Sequence, residues 1–388
     1  MDQIKKNIII ICSWVDSNGL KGIFFREQAK LVSDEFNVTL VRVDVLGLRK
    51  FIKSFLALKS ISRVITDNEL PLIIYFSLET KHFPRFINDY FKKLIYNKMN
   101  REFDFANSKN ILIHAQSIFD AGFWAYALHT KFGTPYIVTE HNLFILNDVS
   151  QRKKESINNI IQNAKRFLVV SHDKARQILN YGFDFQFNVI GNFVNESIFY
   201  PSDSNHDSIF RIITIGAYTF IKDPQTIFDM LKLIDKESYL KHIEFVYVGF
   251  DGWGGNNLKT IEGKIKELDI KKITIKLIPI ATRIEIAEIL RSSDLFVFSS
   301  ISEGMPVSIM EALATGLPVC TTQCGGVDEL IRDFNGKIVP LRDHHSMFEF
   351  VDSCIRGKLL FDKGKISKYL VSEYGNDAFK NKLIKYYN

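Results

Sequence analysis

Glu303 and Glu311 stand eight residues apart, with Pro306 between them and Gly316 beyond. A proline suits the first position of a helix, where its missing N–H costs nothing, and a glycine suits the end of one. The spacing therefore predicts a helix beginning at Pro306 and stopping at Gly316, after a buried strand over 295–300. The N–H groups of Val307 and Ser308 at its start would point toward an anion. A carboxylate only accepts hydrogen bonds, so it suits sugar hydroxyls. Glu303, ahead of the helix, can bind hydroxyls of a sugar; Glu311, about two turns in, can take a vicinal diol such as a ribose. The plainer alternative is that Glu303 merely favours the helix dipole and Glu311 lies on a solvated face.

Other residues of chemical interest also follow strands. Lys222 comes shortly after the strand 209–215 and Gly216, and suits a phosphate as a point charge, or is a surface lysine. Gly19 and Gly22 follow the opening strand, where a glycine loop brings backbone amides close to phosphate, or simply turns the chain. His141 follows the strand 136–139 and can orient a sugar or acceptor by hydrogen bonds. His114 ends the strand 111–114 and is a second candidate; for either histidine the alternative is a satisfied structural side chain. No Asp-x-Asp occurs in the sequence, and His344-His345 has no zinc-spaced partners, so metal-independent chemistry is expected.

These residues need a frame that sets strand ends beside one another. Apolar strand-like runs at 8–12, 38–43, 72–76, 111–114, 136–139 and 167–171 alternate with helix-period segments such as 23–34, 121–131 and 156–164. After an Asn-, Ser- and Asp-rich stretch over 192–207, a second series follows at 209–215, 243–248, 274–278, 295–300 and 318–322. This alternation predicts an α/β protein with two doubly wound, Rossmann-like domains. The expected division is 1–190, 191–372 and a C-terminal helix over 373–388 packing back on the first domain. A length of 388 residues agrees with two cores.

Composition narrows the partners. The net charge is +6, yet residues 1–180 hold 26 Lys+Arg against 17 Asp+Glu, a balance of +9. Basic residues and aromatics mix over 49–63 and 85–103, which suits an anionic membrane or acceptor, or reflects a Lys-, Ile- and Asn-rich composition. Four cysteines without a Cys-x-x-Cys pair fit a reducing compartment. No run approaches the roughly 18 apolar residues that span a bilayer, and the first residues lack the apolar core of a signal peptide.

The segment from Glu303 to Glu311, with Ala312-Leu313-Ala314-Thr315-Gly316-Leu317-Pro318 and Gly325-Gly326-x-x-Glu329, resembles the donor-site signature of the family 4 retaining glycosyltransferases, the glycosyl transferases group 1 of GT-B fold. The likeness implies two Rossmann-like domains facing a central cleft, the first holding the acceptor and the second the nucleotide. It implies that Glu303 binds donor-sugar hydroxyls and Glu311 the ribose. The backbone around Gly304, Met305, Val307 and Ser308 would hold sugar and phosphate. The segment 214–223 resembles a second family motif, which implies that Gly216 lines the donor site and Lys222 stabilises the leaving diphosphate. Ala217 departs from the family there, standing where an arginine is expected. Gly22 would touch the diphosphate, and His141 would lie beside the reacting carbon; Asn192 resembles a structural linker position.

The implied catalytic set is His141, Glu303 and Lys222. The implied reaction is retaining transfer from a UDP- or GDP-sugar, with no cofactor and no metal, to a saccharide or lipid-linked saccharide of an envelope polysaccharide, and with no nucleic-acid partner. A sugar-nucleotide epimerase of the same architecture and a non-catalytic binding subunit are the alternatives. A nicotinamide dehydrogenase would need Gly-x-Gly-x-x-Gly in the first turn, which is absent. The expected location is the cytoplasm, with attachment to the inner face of the cytoplasmic membrane left open.

Overall fold

Short β-branched runs separated by amphipathic helices give two parallel sheets, seen in a computed structural model of the chain. It describes residues 5–15, 22–58, 60–67, 70–79, 85–141, 149–202, 208–251 and 255–388. Gly19 and Asn142 lie outside the described residues. The chain divides into two units: unit 1 comprises 1–170, 174–190 and 380–388, and unit 2 comprises 171–173 and 191–379.

Unit 1 begins with β1 (Asn7–Ile11), α1 (Ile23–Leu31), β2 (Asn37–Leu46), α2 (Leu48–Leu58), β3 (Ser62–Asp67), β4 (Leu70–Leu78) and α3 (Arg85–Phe103). It continues through β5 (Ile111–Ala115), α4 (Phe123–Phe132), β6 (Tyr136–Glu140), α5 (Gln151–Asn163), β7 (Arg166–Val169), α6 (His172–Asn180) and β8 (Asn188–Val189). The sheet order is β3-β4-β2-β1-β5-β6-β7-β8. All neighbours are parallel except the β3–β4 pair. That antiparallel strand is absent from the sequence reading, because 62–67 holds only two apolar residues, Val64 and Ile65, between polar pairs and does not stand out from a loop.

Unit 2 runs β9 (Ile209–Ile215), α7 (Pro224–Lys236), β10 (His242–Val248), α8 (Leu258–Glu267), β11 (Ile273–Ile278), α9 (Arg283–Arg291) and β12 (Leu295–Phe298). It then runs α10 (Val307–Ala314), β13 (Val319–Thr322), α11 (Val327–Leu330), β14 (Gly336–Val339), α12 (His344–Ile355), α13 (Lys363–Tyr374) and the start of α14 (Asn376–Tyr387). The sheet order is β11-β10-β9-β12-β13-β14, parallel throughout.

In each sheet the winding direction reverses once, between β1 and β5 in unit 1 and between β9 and β12 in unit 2. The loops that leave the strands on either side of a reversal diverge, and a crevice opens at the carboxyl ends. Runs such as Ile8–Ile11 and Leu295–Phe298 are buried on both faces because helices cover both sides of a parallel sheet. That burial holds the strand ends rigid enough to carry a site.

Candidate functional site

In unit 2 the loops after β9 and β12, the two strands flanking the reversal, carry the motif residues. β12 stops at Phe298, two residues before the expected Ser300, because its last serines bond sideways. Ser299 Oγ donates to the carbonyls of Lys222 (3.0 Å) and Asp223 (2.7 Å). Ser300 Oγ donates to the Ile221 carbonyl at 2.9 Å, as does the Ile301 N–H at 2.7 Å. The 3-10 turn Phe220–Lys222 is thereby fastened to the exit of β12. The consequence is geometric: Lys222 Nζ meets Glu303 Oε1 at 2.5 Å and lies 5.1 Å from the centre of the Phe298 ring. The Lys222 stem also runs past the backbone of Gly216, 3.7 Å from where a Cβ would stand.

The turn between Glu303 and α10 is set by its carbonyls. Gly304 O accepts from Ser171 Oγ at 2.8 Å and from the Gly326 N–H at 3.0 Å. In a planar trans peptide the N–H points opposite to the C=O, so the Met305 N–H is aimed away from these donors. Met305 O accepts from Asn192 Nδ2 at 2.8 Å, which gives Asn192 the structural role read from the sequence. Gly325 and Gly326 permit the close approach. A Cβ on Gly325, whose φ is +56°, would fall 2.4 Å from the Glu303 carbonyl oxygen, and one on Gly326 would fall 2.5 Å from Ser171 Cβ.

Pro306 is the N-cap of α10 rather than its first helical residue, with ψ at 111°. Pro306 has no side-chain oxygen with which to cap this helix. The Val307 and Ser308 amides, which have no partner within a helix, thus start α10 without a capping oxygen. Gly316, with φ at +81°, follows the last turn as expected.

Glu311 is nearly buried rather than solvated, and Arg283 Nη2, from the start of α9, lies 3.2 Å from its Oε1. Arg283 also lies 5.1 Å from the centre of the Phe199 ring. No motif in the sequence singles out Arg283; only the folded chain brings α9 to α10. Cys324 lies near Glu303, and burial followed by the negative charge of that acid pushes its thiol up to about 12. It stays protonated and is no nucleophile.

Unit 1 holds Gly22 and His141. Gly22 is the N-cap of α1, with φ at +72°, and a Cβ there would fall 2.4 Å from the Trp14 carbonyl oxygen. Phe24 and Phe25, just inside α1, set their rings 5.3 and 6.0 Å from the His141 ring. α1 therefore brings the two residues together.

Three consecutive residues at the end of β6 are tied to β5 and the loop after it. Thr139 Oγ1 pairs with His114 Nε2 at 2.7 Å, and a Glu140 oxygen accepts from the Ile118 N–H at 2.8 Å. His141 Nε2 meets Gln116 Oε1 at 2.7 Å. An amide oxygen only accepts, so that bond keeps the imidazole proton on Nε2. Gln116 Nε2 in turn donates to Gln28 Oε1 at 2.9 Å.

His114 is fully buried between Thr139 and the Tyr387 hydroxyl, 2.8 Å away. Burial, and then the charge of His141, pushes its pKa down to about 3. It is a structural histidine with no access to substrate. Gln116 and Gln28 are missing from the sequence reading, because a glutamine in an apolar surround carries no motif.

Two family models match the chain in succession, Glycosyltransferase Family 4 over residues 81–198 and Glycosyl transferases group 1 over residues 199–371. An Escherichia coli protein, UDP-Gal:alpha-D-GlcNAc-diphosphoundecaprenol alpha-1,3-galactosyltransferase, is 29% identical over 203 residues, or 49% of this chain and 50% of that protein. The match thus spans about half that relative's length. A glycosyltransferase from Rickettsia africae superposes with a TM-score of 0.74 at 18% identity, covering 99% of this chain and 98% of that one. Anabaena HepE in complex with UDP superposes with a TM-score of 0.73 at 13% identity, covering 98% and 99%. Identities this low speak for the fold.

Proposed function

The chain belongs to the family 4 glycosyltransferases of GT-B fold, and from that premise we propose that it moves a sugar from a UDP- or GDP-sugar to a hydroxyl of a lipid-linked saccharide, with retention of configuration. The observation that carries this reading is the Lys222–Glu303 pair beside the uncapped start of α10. A nucleotide sugar presents two groups a few bonds apart: a sugar with hydroxyl donors and a diphosphate with negative charge. Glu303 answers the first. Lys222 and the amides of Met305, Val307 and Ser308 answer the second.

Lys222 and Glu303 neutralise one another, so neither charge stands uncompensated in the crevice. A donor exchanges that single contact for two better-matched ones. Glu311, fixed by Arg283, takes the ribose. In the reaction the bond from the anomeric carbon to the phosphate oxygen breaks and a bond to the acceptor oxygen forms on the same face. The acceptor proton ends on the departing phosphate. Charge building on that phosphate meets a cation and aligned dipoles already in place, so no metal is required. His141, its proton kept on Nε2, orients a hydroxyl.

The lipid-linked acceptor is supported by the E. coli relative, whose name specifies a diphosphoundecaprenol-linked sugar. The UDP arm of the donor class is supported by HepE, which holds UDP on the same fold. Unit 1 presents the acceptor, and the cytoplasm, where nucleotide sugars are made, is the location this reading requires.

The test is a thermal-shift panel of UDP-, GDP-, ADP- and dTDP-sugars, followed by product analysis with saccharide-diphosphate lipids. A ligand that binds only the folded state raises its melting temperature, so the panel identifies the donor. Nucleoside diphosphate should then appear only with acceptor, and the new linkage should keep the donor's anomeric form. Isomerised donor without acceptor would instead mark an epimerase. Binding without turnover on every acceptor would mark a binding subunit.

A further inference from the structure

A surface helix ordinarily turns its apolar stripe inward. α2, Leu48–Leu58, does the opposite. Of its first nine residues only Phe51 is buried, at 8% exposure, while Ile52 is 47% and Leu56 69% exposed, with Leu48 and Phe55 also outside. At 100° per residue, Leu48, Ile52, Phe55 and Leu56 fall within an arc of about 100°, and Arg49 and Lys53 follow along one edge of it. Phe51 anchors the helix: its ring meets Phe91 of α3 edge-on at 5.1 Å and stacks with Phe55 at 6.4 Å. α3 adds Phe86, 71% exposed, and Tyr90 to the exposed apolar group.

The charges on α2 itself are one-sided. Arg49, Lys50 and Lys53 are exposed, and α2 contains no acid. On α3, Lys93 is exposed, Lys92 reaches the exposed Glu79 at 3.9 Å, and Asp89 is an exposed acid between Phe86 and Tyr90 in sequence. An outward apolar stripe bordered by cations matches the layered chemistry of an anionic bilayer surface, where acyl chains lie beneath phosphate headgroups. A second copy of this chain is a poor occupant, because a self-complementary interface would set these cations against themselves.

We propose that the outward face of α2, with Phe86 and Tyr90 of α3, docks unit 1 onto membranes rich in anionic phospholipid. The apolar stripe enters the headgroup boundary, and Arg49, Lys50 and Lys53 bind lipid phosphates. Among the described residues no helix is long and apolar enough to cross a membrane. This surface shares no residue with the site assigned to the transfer reaction.

The test is co-sedimentation of the full chain with vesicles of phosphatidylglycerol and phosphatidylethanolamine, and with vesicles of phosphatidylcholine alone. Binding to the anionic vesicles should exceed binding to the neutral ones at least tenfold, and should fall several-fold as salt shortens the screening length. Ile52→Ser with Phe55→Ser should lower binding about tenfold. So should the triple change of Arg49, Lys50 and Lys53 to Ser. These side chains are exposed, so far-ultraviolet circular dichroism and donor thermal shifts should stay at wild-type values. Equal binding to both vesicle types, or undiminished binding by either variant, would overturn the proposal. So would a self-associating chain that ignores lipid and becomes monomeric in the double variant.

Discussion

In unit 2 the Gly304 carbonyl is gripped by Ser171 and Gly326, so the amide that follows it is aimed by the main chain. In unit 1 the His141 imidazole stands at the end of a relay of side-chain amides, Gln28 to Gln116 to His141. Both arrangements fix a group at the carboxyl end of a central strand, by different means. A main-chain lock needs backbones to approach closely, and it leaves glycines in the sequence at Gly325 and Gly326. A side-chain lock needs only that polar atoms meet in a dry place, which many residue types accomplish. The first is sensitive to any added Cβ, the second to loss of particular donors and acceptors.

Glu303→Ala should produce the largest effect, lowering kcat by about 100- to 1000-fold, the range for removing one preorganised polar group. Donor affinity measured by calorimetry should change much less. If donor affinity fell while kcat stayed unchanged, Glu303 would be binding ground state and transition state equally.

Gly326→Ala tests the main-chain lock directly. The new Cβ meets Ser171 Cβ, which sits too near its own backbone to swing away. A shift of the 303–306 turn should lower kcat/KM by about 30-fold, near 2 kcal/mol. Adding Ser171→Gly should restore part of it, because the clash goes although the hydroxyl bond is lost. Rescue absent in steady-state kinetics would mean that the turn is positioned by something other than this contact.

Gln116 probes the side-chain lock. Gln116→Leu should reduce kcat by about five- to tenfold, as one charge-free hydrogen bond of about 1 kcal/mol is lost. Gln116→Glu sets a negative charge beside His141 and should raise its pKa, moving the acid limb of the pH–rate profile upward. Nitrogen-15 chemical shifts of His141 read the tautomer without any substrate. A wild-type ring protonated on Nδ1 alone would refute the assignment.

The smallest effect concerns His114. Its pKa is pushed down to about 3 in the fold, against about 6.5 in an unfolded chain. As pH falls below about 6.5 the unfolded chain takes up a proton that the folded chain refuses, so this group subtracts stability progressively down to about pH 3. His114→Asn removes that titration. The loss in melting temperature between pH 7 and pH 5 should therefore be smaller in the variant, even if its value at pH 7 is lower.

Much of the frame could be read before any coordinates. The strand 209–215 has the expected ends, and α14 spans the helix-period segment at the C-terminus. Misses cluster where a residue's meaning depends on a distant neighbour. Ser299 and Ser300 read as the end of a strand, yet they serve as fasteners for the Lys222 turn. Glu311 reads as a carboxylate for a diol, but nothing in the sequence sets Arg283 against it. α2 and α3 read only as basic, aromatic stretches, because an amphipathic stripe says which residues share a side and not which way that side looks.

From the chain of letters alone came the alternation of strand and helix, and the turn between Glu303 and Gly316 with its acids, proline and glycines. Those are local matters, set by backbone geometry and by which side chains a short segment can tolerate. Folding alone decided that Lys222 meets Glu303, that Arg283 orients Glu311, and that Tyr387 closes over His114. Such pairings join residues 28 to 273 positions apart. Their energies depend on burial and distance, which arise only once the sheets have assembled.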